Sequence, residues 1–278
     1  MSAETDADPA NQEAADQIKI PYRIPLYHND FPFVIMWSEK SGCTSLAKWF
    51  FWQVGLLEEA TAYHPWVHNY ENEKFKARRG YLKGCLDAIA EGKPVIKFVR
   101  NPYRRAFSGY LELCNPKIVK EPHHWTRIYR KLVVEYVTGY AQEVEYTFTF
   151  RQFVDWLVAQ RQNTLDLHLR QQFMTSETNF DVRVHQIEAG QQGMNALEAE
   201  FGLQSSAGKA EMFESRHHHA KTVIAPRPAI SIFDAGIPVR RSAHFKVVEP
   251  TLEEFATDPV GAQLRKYFVE DFVRYGYL

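Results

Sequence analysis

The chain has 278 residues, with 33 Lys and Arg against 34 Asp and Glu and a formal net charge of −1. A balance this close to zero excludes a global field that would recruit nucleic acid or an acidic lipid surface, so any anion site must be local. The length suffices to bury a full core as one α/β domain, and three cysteines, Cys43, Cys85 and Cys114, are too few and too irregular for a disulfide framework.

Met1 to Gln17 is rich in Ala, Asp, Glu, Asn and Gln and has no Lys or Arg. It lacks the basic start and apolar centre of a signal peptide. Residues 1–18 therefore read as a disordered acidic tail, and residues 19–278 as a single domain. No run reaches the roughly 18 apolar residues that a membrane span needs.

The first strong pattern is FPFVIMWSEKSGCTSLAKWF, residues 31–50. An apolar run at 32–37 reads as a strand. A small-residue loop follows: Ser38, Glu39, Lys40, Ser41, Gly42, Cys43, Thr44 and Ser45. Leu46, Trp49, Phe50 and Val54 then recur at helical spacing, which predicts a helix over 44–57. Strand, loop and helix in this order build an anion cradle, because loop N–H groups and the helix N-terminus point at the ligand and Lys40 adds a full charge. The order inside the loop argues against ATP or GTP. In the nucleoside triphosphate loop, Lys follows the last Gly; here Lys40 precedes Gly42. Glu39 puts a negative charge beside the cradle. Cys43 reads either as a small residue suited to a tight turn or as a reactive thiol.

A polar helical region spans about 66–91. Its approach, TAYHPWVHNYENE, carries His64 and His68, with Glu58, Glu59 and Glu71 nearby. A short buried strand follows at 94–99 and ends at Arg100. Asn101-Pro102 makes a turn, and a helix is predicted over 103–113. A guanidinium at a strand end suits a phosphate, since it gives two parallel charge-assisted hydrogen bonds. Arg104 and Arg105 read as exposed. Phosphoryl-transfer enzymes place an Asp at a strand end to hold magnesium. Arg100 stands there instead, which favours an anion held by protein cations alone.

Further helices are predicted near 127–141 and 149–161, a third strand near 182–187, and a helix at 191–201. His217 to Ala243 reads as a long loop. Its three adjacent histidines, His217, His218 and His219, point different ways with no carboxylate or Cys at ligand spacing, so no metal is expected. A last amphipathic helix carries Leu264, Tyr267, Phe268 and Phe272. Strands alternating with helices imply a parallel sheet flanked by helices, with ligands at the carboxyl ends of the strands. Both loops fall there.

Residues 38–45 resemble the 5′-phosphosulfate loop of sulfotransferases, usually Pro-Lys-x-Gly-Cys-Thr-Ser, with Glu39 in place of Pro. VRNPYRRAFSG, residues 99–109, is similar to their second signature, with Asn101 in place of Asp. YTFTFRQFVDWLVAQ with DLHLRQQF, then NFDVRVHQIEAGQQGMNALEAEFGL, then LRKYFVEDFVRYGYL resemble the carbohydrate branch, in the right order. The resemblance covers roughly residues 31–278. It implies a P-loop-like three-layer fold and PAPS (3′-phosphoadenosine 5′-phosphosulfate) as donor, with 3′,5′-ADP as product. The implied acceptor is a hydroxyl, of a carbohydrate by branch. It implies that Lys40, Ser41, Gly42, Cys43, Thr44 and Ser45 hold the 5′-phosphosulfate and that Arg100 and Ser108 hold the 3′-phosphate. It also implies that a late basic pair, Arg216 and Lys221 or Arg240 and Arg241, closes over the donor. Lys40 would stabilise the leaving phosphate. The base would be a His or a Glu: His68, which opens the polar segment, then His64, with His168 in DLHLRQQ also open. With no membrane anchor in the sequence, a cytoplasmic enzyme of bacterial type is expected. Two other classes stay open, a nucleotide kinase on the same kind of sheet and a donor-binding module without a base.

Overall fold

Val34–Trp37 (β1) and Val95–Val99 (β2) are buried at every residue, as strands covered on both faces are. They pair in parallel, Val34 opposite Val95 and Trp37 opposite Phe98. β2 pairs in parallel with Val182–Gln186 (β3), Val95 opposite Val182. The sheet order is β1-β2-β3. This computed structural model describes residues 23–116, 124–140, 145–213, 230–240 and 247–277.

In chain order the helices begin with α1 (Cys43–Gln53), α2 (Leu57–Tyr63), α3 (Val67–Tyr70) and α4 (Tyr81–Ala90). Next come α5 (Pro102–Leu113), α6 (Trp125–Thr138), α7 (Phe150–Val158), α8 (Gly190–Glu200) and α9 (Ala210–Phe213). The last three are α10 (Leu252–Thr257), α11 (Pro259–Tyr267) and α12 (Val269–Arg274). The chain divides into two compact units, Met1–Arg100 with Gln172–Ser215, and Asn101–Gln171 with Arg216–Leu278.

The first unit holds the sheet. Period-two alternation along β1 and β2 sends side chains to opposite faces. Ile35, Trp37, Ile96 and Phe98 enter one core with Leu46, Trp49, Phe50 and Phe51 of α1. Val34, Met36 and Val95 enter another with Cys85 of α4. Phe31, Phe50, Phe51 and Phe75 meet edge to face at centroid distances of 5.0–5.6 Å, the geometry aromatic quadrupoles favour. Leu26 bridges Ile35 on the outer side of β1.

The second unit is helical. Its core gathers Tyr103, Phe107 and Tyr110 of α5 with Phe148, Phe150, Phe153, Phe255, Phe268 and Phe272. The Arg151 guanidinium clamps Asp234 and Asp258 at 2.6 and 2.9 Å. Gly261 of α11 is a packing requirement, since a Cβ there would lie 1.6 Å from the Phe255 carbonyl oxygen. Asn101 caps α5, its side chain accepting from the N–H groups of Tyr103 (3.0 Å) and Arg104 (3.4 Å). A cap needs an acceptor oxygen and no charge, so Asn serves where the signature has Asp.

Three sequence expectations are corrected. The polar region at 66–91 is not one helix: α3 runs into a π-helical turn, Glu71–Phe75, and Gly80 breaks the path before α4. The closing helix is split, because Phe268 leaves helical geometry between α11 and α12. Arg105 is buried rather than exposed, and donates to the carbonyls of Leu167 (2.7 Å) and Arg170. Among the described residues, no helix is long and apolar enough to cross a membrane.

Candidate active site

β1 stops at Trp37 and the chain folds back through Ser38–Gly42. The Ser41 hydroxyl donates to the Ser38 carbonyl and accepts from the Ser38 N–H at 3.2 Å. Gly42, with φ of 78°, occupies the left-handed region that glycine enters freely. Lys40 has φ of 66°, alone in that region among described non-glycine residues. A lysine there is strained, and such strain collects at functional sites. α1 begins at Cys43, and no side chain caps its first turn. The N–H groups of that turn have no intrahelical acceptors and present a partial positive charge.

The end of β2 meets this loop. Arg100 Nη1 donates to the Lys40 carbonyl at 3.2 Å, so the guanidinium at the end of β2 is tied to the backbone of the loop that follows β1. The Arg100 backbone is bracketed by one side chain. Gln172 Oε1 accepts from the Arg100 N–H at 2.9 Å, and Gln172 Nε2 donates to the Arg100 carbonyl at 2.7 Å. Gln172 is anchored in turn by Lys97, whose buried ammonium donates to the Gln172 carbonyl at 2.5 Å and pairs with Glu177. Gln172→Ala is expected to lower the melting temperature, because each unpaired peptide group of Arg100 costs about 1–3 kcal/mol. Thermal melting checks this; an unchanged melting temperature would mean that water replaces the bracket.

Behind the loop runs a chain of paired charges. Glu39 is buried and forms an ion pair with Arg23, so its charge is compensated. Arg23 and Lys76 both lie over the Trp37 ring, at 4.8 and 4.2 Å. Lys76 pairs with Glu71 at 2.6 Å, and Glu71 Oε2 holds His68 Nδ1 at 2.5 Å. His68 Nε2 lies 3.2 Å from the Thr44 hydroxyl. Burial opposes charge on the His68 ring but is outweighed by hydrogen bonds to Cys43 and Glu71, which push it up to about 9. Burial likewise opposes charge on Glu71, yet Lys76 and His68 hold its carboxyl down at about 2. Lys76 is lowered to about 8 by burial, with Glu71 opposing.

Of the sequence-derived residues, the structure brings together Lys40, Ser41, Gly42, Cys43, Thr44, Ser45, Arg100 and His68. His64 is turned to its own backbone: Nδ1 accepts from the Trp66 N–H at 2.9 Å. His168 belongs to the second unit, where Asp166 holds Nδ1 at 2.6 Å and the ring stacks on Trp125 at 4.4 Å. Ser108 lies half-buried on α5, also in that unit. Arg240 pairs with Glu145 at 2.5 Å. Arg216, His217, His218, His219, Lys221 and Arg241 lie outside the described residues. Sequence reasoning assigned no role to Arg23, Lys76, Lys97 or Glu177. Gln172 stood in the DLHLRQQF segment of the carbohydrate-branch resemblance, without a function.

The arrangement sets an uncapped helix N-terminus, the Arg100 guanidinium and the His68 imidazole around one loop, a chemistry suited to an anion. The family model described as the sulfotransferase family matches residues 39–278. No curated protein and no solved structure matches the chain.

Proposed function

The chain belongs to the sulfotransferase family, and from that premise we propose that it moves a sulfuryl group from PAPS to a hydroxyl of a carbohydrate or glycoconjugate. The hydroxyl attacks sulfur in line, the bond from sulfur to the bridging oxygen breaks, and 3′,5′-ADP leaves. Charge grows on that bridging oxygen. Lys40 faces it, and the first-turn N–H groups of α1 take the 5′-phosphate. Arg100 takes the 3′-phosphate. Ser108 shares that contact on the motif alone, as does Lys221 its part in closing over the donor. His68 removes the acceptor proton, oriented by Glu71 through Nδ1. The carbohydrate class of the acceptor rests on branch resemblance.

The observation that carries this reading is the hydrogen bond from Arg100 to the Lys40 carbonyl. It supports one compact anion site fed from two strand ends, which a donor with phosphates at its 5′ and 3′ positions requires. Calorimetry of 3′,5′-ADP against ATP with magnesium tests it. Wild type is expected to prefer 3′,5′-ADP, and Arg100→Ala to lose about ten- to a hundredfold in affinity, the value of a charged hydrogen bond. Preference for ATP with magnesium would promote a kinase.

A further inference from the structure

α6 carries apolar side chains on both of its faces. The inner face sets Val133 and Val134 in the core of the second unit, and the buried Arg130 donates from Nη1 to the Leu113 carbonyl at 2.7 Å. The outer face carries Ile128, Leu132 and Tyr136, one turn apart and 51%, 43% and 52% exposed. A helix packed on one side keeps its outer stripe polar. Here three large apolar groups in a row meet water, and contiguous exposure of this kind marks an interaction surface. Two charges flank the row on one side. Lys131 precedes Leu132 and Glu135 lies one turn on, both exposed. Neither side chain has an ion-pair partner among the described residues. With Lys first at i, i+4, they stand in the weaker order for pairing within the helix.

We propose that this face of α6 is the interface of a homodimer, a second copy of the chain lying antiparallel across it about a two-fold axis at Leu132. The inference does not rest on the donor reading above.

A two-fold contact is isologous, so every pairing occurs twice. With Leu132 against Leu132 of the second copy, Ile128 faces Tyr136 and Tyr136 faces Ile128. The row is its own complement. Charge selects the direction. In an antiparallel pair the same flank of each helix meets, so Lys131 of each copy lies beside Glu135 of the other and two ion pairs close that side. A parallel pair sets both charges against the opposite flank, where Tyr129 stands and offers no charge. A row with one cation and one anion on the same flank is therefore complementary to itself reversed. One helix face is small beside the roughly 800 Å² per partner of a standard interface, so the expected dissociation constant is micromolar.

Sedimentation velocity of the full chain from about 1 to 300 μM tests this, a span that brackets weak interfaces. Wild type is expected to sediment faster as its concentration rises, toward a two-chain species. Leu132→Glu is expected to stay monomeric throughout. Lys131→Glu sets two like-charge pairs across the axis and is expected to weaken association about tenfold, as is Glu135→Lys. Mixed in equal amounts, those two variants are expected to associate with each other about as well as wild type with itself, because each pair across the axis is again of opposite sign. Recovery on mixing cannot come from a variant that fails to fold. A wild type that is monomeric at every concentration overturns the proposal and leaves the face to a different partner. A dimer that Leu132→Glu leaves intact also overturns it, since its interface lies elsewhere. So does failure of the mixed variants to associate, since the pairing is then not antiparallel about Leu132.

Discussion

Lys40→Gly is expected to lower the turnover of sulfuryl transfer about 10²–10³-fold, the usual loss when one charge-stabilising group is removed, while raising the melting temperature. Two properties of one residue produce these opposite signs. In the proposed mechanism the ammonium neutralises charge that appears on the bridging oxygen only as the S–O bond breaks, so its loss would fall on the transition state. The backbone of Lys40 lies at φ of 66°, which costs a non-glycine residue roughly 1–2 kcal/mol. Glycine removes that strain along with the charge. Lys40→Ala removes the charge and keeps the strain, so it separates the two effects. Turnover and thermal melting of both variants beside wild type check this. Turnover of Lys40→Gly within about threefold of wild type would remove Lys40 from the mechanism. A fall in its melting temperature would show that the side chain holds the loop together.

His68→Gln is expected to lower turnover about 10²–10⁴-fold, the contribution of a positioned base, and to erase the pH dependence that the ring imposes. The sign is fixed by the base role. Only neutral imidazole accepts a proton, and the ring is held up at about 9 by Cys43 and Glu71 against burial. kcat/KM of wild type should therefore climb with pH and level off above about 9. A profile that falls through the same range would mean that the imidazolium is the working form, stabilising charge rather than taking a proton. Glu71→Gln removes the carboxylate that favours the charged ring, so the rising limb should move to lower pH. His168→Gln should leave the limb in place, since its own partners are Asp166 and Trp125.

The parts of the site made by consecutive residues were legible in the sequence. β1, the loop, α1, β2 and α5 lie within a few residues of their expected bounds. Apolar runs, interrupted in β2 only by Lys97, mark strands buried on both faces, and Gly42 and Asn101-Pro102 punctuate their ends. What pairs across sequence distance was not legible. Glu39 read as a charge opposing the cradle, and only the fold supplies Arg23 beside it. Gln172 brackets a peptide 72 positions away, and no local pattern announces that. The sequence put His68 ahead of His64 and His168 only because it opens the polar segment. His68 is distinguished by a π-helical turn that aims Glu71 at its ring. Such a turn has no periodicity signal, because five residues are too few for one. The closing segment misled for another reason: Leu264, Phe268 and Phe272 keep helical spacing while Phe268 itself breaks the helix.

The sheet has a temporal side during synthesis. β1 and β2 can pair once residue 99 has left the ribosome, but the partner for the other edge of β2 begins only at Val182. At roughly 5–20 residues per second, that edge waits on the order of ten seconds. In the interval the chain lays down Asn101–Gln171, residues of the other unit. A nascent chain thus carries an unpaired edge, apolar but for Lys97, of the kind that templates aggregation. The length of that exposure depends on elongation speed over those residues. Synonymous codon changes there, silent in the finished enzyme, are expected to change its yield, which the soluble fraction of recoded variants would check.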